Sequence, residues 1–226
     1  EADLELSGPT VVYSNPFAVG VGAAYQMVLK AAPSEGAIIA GQALAIQPKL
    51  RVLDRGGNLL VAVSSSTVRC DFLANPSGGT ISPATSTTRQ LVAGEVSFSL
   101  LSIDFTGDRY ALRFTLCRYD VLTGSYEAAI TAAAPNGVSI NTEYFTVLLG
   151  VPKQVRVTTT PAGAWAGGQA FTRQPALELI DGGTNVVTTD SSSTLTAFLV
   201  PSLSTTKTIR IDTSAAPLVV IKRVFA

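Results

Sequence analysis

The sequence predicts an all-β chain of tandem β-sandwich units, and three observations support that prediction. Apolar and polar residues alternate with a period of two in several runs, most clearly from Tyr110 to Leu116, as in a strand with one buried face. Turn-forming pairs such as Gly78-Gly79 separate these runs. Finally, a stretch of the first half recurs in the second half, as it does in chains of repeated units.

The internal repeat covers most of residues 13–58. Phe17 and Gly22 recur as Phe145 and Gly150, and a Gln-Pro-x-Leu pattern recurs with the same spacing to a following aspartate. The other matched pairs are Pro33 with Pro161, Gln47 with Gln174, Asp54 with Asp181, and Asn58 with Asn185. A self-similar spacing of about 127 residues is typical of a tandem array, so we expect two units of the same fold.

The first strands of the first unit end at clear turn signals. A short apolar strand over 26–29 stops near Pro33. Leu50 and Val52 alternate with basic residues in a strand that ends at the Gly- and Asn-containing turn 54–58. Both strands are therefore expected to place one face on a core.

The later strands of the first unit follow the same rule. The stretch 60–72 is rich in β-forming residues, and Val96, Phe98 and Leu100 are expected to face one core together. The alanine-rich stretch 126–134 fits a short helix, a strand or an insertion loop. About seven short strands per unit predict a β-sandwich.

The repeat also predicts where the units begin and end. Residues 23–150 are expected to form a complete sandwich, and residues 151–226 a sandwich that lacks its last strands. Residues 1–22 resemble the closing strands of a preceding unit, so we expect one complete sandwich and one split between the two chain ends. Residues 1–22 of one copy would then complete the unit begun at 151 in its neighbour. The alternative is that both ends are arbitrary limits within a longer covalent array.

The residues expected to form this inter-subunit strand are apolar and lie at alternating or adjacent positions. They are Leu4, Leu6, Val11, Val12, Phe17 and Val19.

Composition narrows the range of functions. Charged residues make up 14% of the chain and the net charge is zero, so we expect neither nucleic acid nor an anionic membrane surface as a partner. No apolar run approaches the roughly 18 residues of a membrane span, so no membrane insertion is expected. The chain has no histidine, which excludes Ser-His and Cys-His pairs. We therefore expect no catalytic residues, no metal and no cofactor.

The motifs together resemble the tandem immunoglobulin-like repeats of large secreted surface proteins, including bacterial Ig-like repeats of the invasin and intimin type. The resemblance rests on Phe-x-Val at 17–19, Ala-Gly-Gln at 40–42, Gln-Pro-x-Leu at 47–50, Gly-Asn at 57–58 and Gly-Asp-Arg-Tyr at 107–110. It implies tandem Ig-like β-sandwiches with a spacer, filament or stalk role rather than catalysis.

The two cysteines fall on strands that would be neighbours in an Ig-like order. The resemblance makes a cross-strand bridge feasible, and we predict a disulfide between Cys70 and Cys117, with two free buried thiols as the alternative. The bridge would close a loop of about 47 residues and contribute roughly 3–4 kcal/mol.

Three further groups of residues have two interpretations each. Asp54 with Asn58, and Asp181 with Asn185, are expected to cap turns rather than bind calcium, which prefers six to eight oxygen ligands. Trp165 is expected either to pack against protein or to contact a glycan. Ser/Thr runs are expected either to carry O-linked glycans or to form ordinary polar loops. The candidate glycosylation residues are Thr85, Ser86, Thr87, Thr88, Thr158, Thr159, Thr160, Ser204, Thr205 and Thr206.

These observations predict a structural, non-enzymatic protein. We expect a subunit or repeat segment of an extracellular filament, secreted or on the cell surface, that is assembled by β-strand complementation or by covalent tandem repetition. Its partners would be copies of itself in a head-to-tail polymer, with covalent O-glycans. The alternative is a surface adhesin domain that binds a glycan or a protein.

Overall fold

The computed structural model describes residues 13–62, 66–120, 122, 125–129, 134–163, 169–199 and 209–212. Within these ranges the chain forms β-strands and two short 3₁₀ turns, Pro33–Glu35 and Ala84–Ser86, so the predicted all-β fold is confirmed. The strands are β1 Gln26–Ala31, β2 Ile38–Ile39, β3 Lys49–Leu53, β4 Ser66–Ala74, β5 Ile81–Ser82, β6 Thr88–Gln90, β7 Glu95–Ser97, β8 Ser102–Ile103, β9 Gly107–Asp120, β10 Ser125–Ala128, β11 Ser139–Asn141, β12 Phe145–Leu148, β13 Gln154–Thr159, β14 Ala176–Ile180, β15 Thr196–Leu199 and β16 Ile209–Asp212.

Two sheets enclose one apolar core between Ala24 and Val147. One sheet has the order β1-β3-β7, and the other has the order β2-β12-β9-β4-β6 with β10 and β11 also paired to β9. Leu50 of β3 is buried in the same cluster as Phe114 of β9, and the Phe114 ring lies 5.3 Å from the Phe98 ring. Strands β5 and β8 form a small separate pair. We call residues 23–150 the first unit and the residues from 151 onward the second unit.

The longest strand, β9, shows the alternation that the sequence predicts. Tyr110, Leu112, Phe114 and Leu116 are all buried in the core cluster. The prediction for Leu100 is wrong, because its side chain is 66% exposed while Val96 and Phe98 are buried. Leu100 has a φ of 63°, which interrupts the extended conformation and turns its side chain away from the core.

The alanine-rich stretch is a strand at its start. Strand β10 pairs antiparallel with the end of β9, so the helix interpretation is wrong for those residues. The neighbouring edge of β9 supplies hydrogen-bond partners for the backbone, and this outweighs the helix preference of alanine. Residues 130–133 lie outside the described part of the chain.

The internal repeat is also a structural repeat. Strand β13 pairs with β14 in the register in which β1 pairs with β3, starting from Gln154 opposite Ile180 and Gln26 opposite Leu53. Both pairs contain a register shift near the same point. In the second unit the chain continues into an antiparallel pair, β15 with β16. The division of a sandwich between residues 1–22 and 151–226 stays a prediction, since residues 1–12 lie outside the described ranges.

Candidate assembly site

Both copies of the repeat contain the same aspartate-centred turn. In the first turn, residues 54–58, one carboxylate oxygen of Asp54 accepts the N–H groups of Gly56 and Asn58 at 2.9 and 2.8 Å. Its other oxygen accepts the N–H of Gly22 at 2.8 Å. The predicted role of Asp54 in capping the turn is confirmed by these bonds, and the bond to Gly22 also fixes the incoming chain.

The second turn, residues 181–185, repeats this arrangement. Asp181 accepts the N–H groups of Gly183 and Asn185 at 2.8 and 2.9 Å, and that of Gly150 at 3.0 Å. Asp181 is therefore confirmed as a turn-capping residue as well. In the part of the chain that the structure describes, no cluster of acidic, histidine or cysteine side chains is suited to a metal ion.

The hydrogen bonds stabilise both aspartates in their charged form. The N–H of Gly22, followed by the side chain and backbone of Asn58, lowers the pKa of Asp54 to about 2. Burial raises the pKa of Asp181, but the N–H groups of Gly150, Asn185 and Gly183 outweigh burial and leave the pKa below its ordinary value. Both turns are consequently most stable with an ionised aspartate.

The second turn docks on the first unit through Asn185. The Asn185 side-chain amide donates to the carbonyl oxygen of Asp104 at 2.7 Å, and its side-chain oxygen accepts the N–H of Thr106 at 3.1 Å. The same amide also donates to Asp181. One side chain therefore stabilises its own turn and joins the turn to a loop of the preceding unit.

Glycines allow the backbones of the two units to approach closely at this contact. A Cβ atom on Gly183 would overlap the carbonyl of Asp104, and a Cβ atom on Gly41 would overlap the backbone of Gly182 and Gly183. Gly41 also has a φ of +70°, which favours glycine. No larger residue fits at Gly183 or Gly41 without separating the turn from the first unit.

The first turn has the same internal bonds but no such contact within the described residues. Gly56 and Asn58 are exposed, whereas their counterparts Gly183 and Asn185 are buried and half-buried. A Cβ atom on Gly56 would meet only atoms of its own turn. The two turns thus differ in what lies against them and not in how they are built.

The segment 13–22 and its counterpart, residues 141–150, also differ in what lies against them. Phe17 is 78% exposed and Val19 is 83% exposed, whereas Phe145 and Val147 of β12 are 8% and 1% exposed. Strand β12 lies between β9 and β2 and closes the sheet of the first unit. Residues 13–22 have no strand pairing in the described ranges. The other predicted strand-donating residues, Leu4, Leu6, Val11 and Val12, lie outside those ranges.

The predicted disulfide between Cys70 and Cys117 is wrong, because both thiols are free and buried. The strands β4 and β9 are neighbours as expected, but Cys70 lies opposite Phe114 and Cys117 lies opposite Thr67. Since side chains alternate between the faces of a sheet, Cys70 faces the core and Cys117 faces the opposite side. Burial raises the pKa of both thiols, so both are held as neutral, unreactive groups.

The remaining predicted site residues differ in how exposed their side chains are. Thr85, Thr158 and Thr160 are exposed, and Thr87, Thr88 and Thr159 are half-buried. Ser86 is unsuited to a glycan, because it is 5% exposed and its hydroxyl oxygen accepts a hydrogen bond from Arg89. Ser204, Thr205, Thr206 and Trp165 lie outside the described residues.

Sequence reasoning did not find the contact between the second turn and the first unit, and the repeat alone does not distinguish the two turns in this respect. Gly56 and Gly183 are retained at matching positions, while the neighbours on both sides change from Arg55 to Gly182 and from Gly57 to Thr184. Gly57 and Thr184 both have a positive φ, of 83° and 71°, so the turn does not require glycine there. In both copies a Cβ atom at the retained glycine would crowd the asparagine amide of its own turn, and at Gly183 it would also overlap the carbonyl of Asp104.

Neither a family model nor a curated protein sequence matches this chain. Within the described residues, no helix has the length and apolar character needed to cross a membrane.

Proposed function

We propose that this protein is a structural subunit or repeat segment of an extracellular filament, in which β-sandwich units are joined head to tail. The observation that carries the proposal is the contrast between two copies of one strand. Phe145 and Val147 are buried in a sheet, whereas Phe17 and Val19 have the same sequence pattern and are exposed. The exposed copy has the side chains of a closing strand without a sheet to close.

Strand addition would remove this exposed surface from water. Burying Phe17 and Val19 contributes about 1.5–3 kcal/mol per side chain. Backbone hydrogen bonds to a neighbouring strand add specificity. Ser14 also fits, because its counterpart Thr142 uses its hydroxyl oxygen to accept the N–H of Leu112 in β9. A preceding unit, on the same chain or on another copy, is the partner that offers such a strand.

The extracellular location is part of the proposal and rests on composition. The chain has 14% charged residues and many hydroxyl side chains, several of them exposed. Exposed threonines such as Thr85 and Thr158 are suited to O-linked glycans, which would hydrate a polymer with little charge. The two free thiols do not support an oxidising compartment.

A matched pair of substitutions in the exposed segment tests the proposal. Phe17→Glu places a charge where a neighbouring core would lie, so we expect it to abolish polymers seen by electron microscopy and analytical sedimentation. Asn15→Glu adds the same charge at a position whose counterpart, Glu143, is exposed. We expect the Asn15→Glu variant to polymerise like the unmodified chain.

Two results would contradict the proposal. The first is a Phe17→Glu variant that polymerises as well as the unmodified chain. The second is an unmodified chain that stays monomeric at every concentration and binds a glycan or protein saturably, as the adhesin alternative predicts.

A further inference from the structure

We infer that the first unit bears tension along the chain and that strand β12 is the element that resists it. This role goes beyond the proposed assembly, because it concerns one chain whose two ends are drawn apart. Three features of the structure support it: the point where the chain enters the first unit, the point where it leaves, and the pairing of β12 on both of its edges.

The chain enters the first unit at one end of the sandwich. The Asp54 carboxylate accepts the N–H of Gly22, and β1 then starts opposite Leu53, the last residue of β3. Strand β4 starts at this same end, because residues 91–94 hydrogen-bond both to Ser66 at the start of β4 and to β3 near its end. We call this the entry end.

The chain leaves the first unit at the opposite end. Strand β12 pairs antiparallel with β9, and β9 pairs antiparallel with β4, so β12 runs in the same direction as β4, away from the entry end. The last residue of β12 is Leu148, and Gly150 directly after it is held by Asp181 of the second unit. A pull on both sides therefore draws β12 along its own axis.

Strand β12 is held on both edges, so this pull loads its hydrogen bonds in shear. It lies between β9 and β2, and the Ala40 N–H after β2 donates to the Leu148 carbonyl at 2.9 Å. The chain reaches β2 from β1, so tension draws β2 toward the entry end and the parallel β12 away from it. The bonds of a ladder run across the strands, so sliding stretches them all together, whereas peeling breaks them one at a time. A sheared strand consequently withstands more tension than a peeled one.

Side chains add to the hold on β12. The Thr146 hydroxyl donates to the Asp108 carboxylate at the start of β9. The Arg109 guanidinium lies over the Tyr144 ring, 4.7 Å from the ring centre. Val147 is 1% exposed and belongs to the core cluster. Both polar contacts join the β12 segment to β9, so they must break when β12 slides along β9.

The test pulls single full chains by their ends and compares Thr146→Val with Thr80→Val. Each substitution removes an exposed hydroxyl that donates to an aspartate, Asp108 or Asp104, but only Thr146 lies on β12. Unfolding of the first unit is recognised by a gain in length of about 420–460 Å, the extended length of residues 23–150. At constant force, we expect Thr146→Val to raise the unfolding rate of this unit about three- to tenfold, and Thr80→Val to leave it nearly unchanged.

Urea unfolding separates resistance to tension from an ordinary contribution to stability. We expect both variants to lose a similar amount of stability at equilibrium, so that only the unfolding rate under tension distinguishes them. Equal rates under tension, or a faster rate for Thr80→Val, would overturn the inference. Neither measurement requires copies to associate, so the filament proposal can fail in the Phe17→Glu test while this role stands, and the reverse also holds.

Discussion

At the scale of single residues, Asp54 and Asp181 determine how the chain enters each unit. Each carboxylate accepts the N–H groups of its own turn and one N–H from the segment that precedes the unit. A carboxylate with several such donors is stabilised in its ionised form. The repeat keeps an aspartate at both positions because asparagine offers only one oxygen for these bonds.

The lowered pKa of Asp54 makes part of the protein's stability depend on pH. Its pKa is about 2 in the folded chain against an ordinary value of 3.8, so the stabilisation is complete above pH 3.8 and is lost as the pH falls through about 2. We expect Asp54→Asn to lower the free energy of unfolding at pH 7. The difference from the unmodified chain should shrink between pH 4 and pH 2, measured by urea unfolding.

Glu35→Gln serves as the control for the loss of one negative charge, because the Glu35 side chain is exposed. Its effect should be small and should not follow the same profile. A deficit of Asp54→Asn that is equal at pH 7 and pH 2 would show that the carboxylate bonds do not contribute as we describe.

The cysteines show that the sequence predicts which residues lie on strands but not which face of the sheet they share. The alternation in β9 and the turn signals were sufficient to predict that Cys70 and Cys117 lie on strands. Whether two residues on neighbouring strands share a face depends on the register, and a shift by one residue reverses it. The register here sets Cys70 opposite Phe114, and no local pattern in the sequence encodes that pairing.

At the scale of elements, β9 organises the first unit. It pairs with β4 along most of its length and with β10, β11 and β12 on its other edge. Tyr110 packs against rings from β4 and β12 and donates its hydroxyl to the carbonyl of Phe105 at 3.0 Å. The inward side chains of this one strand thus contact several elements that are distant in sequence.

Truncation of a core-facing side chain on β9 should lower the free energy of unfolding strongly. Phe114 is fully buried and contacts the Phe98 ring, so we expect Phe114→Ala to lower the free energy of unfolding by about 3–5 kcal/mol. Thr115 on the opposite face is half-buried, and Thr115→Ala should cost about 1 kcal/mol or less. Urea unfolding followed by circular dichroism gives both values. Equal costs would contradict the assignment of faces.

The sequence patterns predicted strands β3 and β9 correctly, but they did not predict two local departures from the pattern. Period-two alternation identified β3 and β9 because both strands have one face on a core. Leu100 departs from the pattern through a positive φ, and the start of the alanine-rich stretch becomes a strand because β9 offers a free edge. Both exceptions depend on tertiary neighbours, which the local sequence does not specify.

At the scale of the whole molecule, the contact of the second turn with the first unit joins the units. The Asn185 side chain donates one hydrogen bond to Asp104 and accepts one from Thr106, and the backbones approach closely at Gly41 and Gly183. The repeat predicted two units, but it did not predict which loops meet. That depends on how residues 148–153, which join the two units, direct the second unit, and the local sequence does not specify this.

Substitution of Gly183 should separate the units without unfolding either of them. Gly183→Ala would overlap the carbonyl of Asp104, so we expect a loss of about 1–3 kcal/mol in the coupling between units. Calorimetry should then show a lower transition temperature and a broader transition. Limited proteolysis should cleave the chain faster near residue 150.

Thr184→Ala is the matched control, because Thr184 is exposed in the docked turn. It should leave both the transition and the cleavage rate unchanged. Indistinguishable behaviour of the two variants would contradict a close contact at Gly183.

The bond between Gly150 and Asp181 has a mechanical consequence. Ala40 donates to the carbonyl of Leu148, Gly150 donates to Asp181, and Lys153 donates to the carbonyl of Ile180. The joining segment, residues 148–153, is therefore held by hydrogen bonds of its backbone at Leu148, Gly150 and Lys153 and has little freedom to extend. When the chain is pulled along its length, the load falls on these anchoring bonds at once, so the joint behaves as a stiff coupling rather than as an entropic spring.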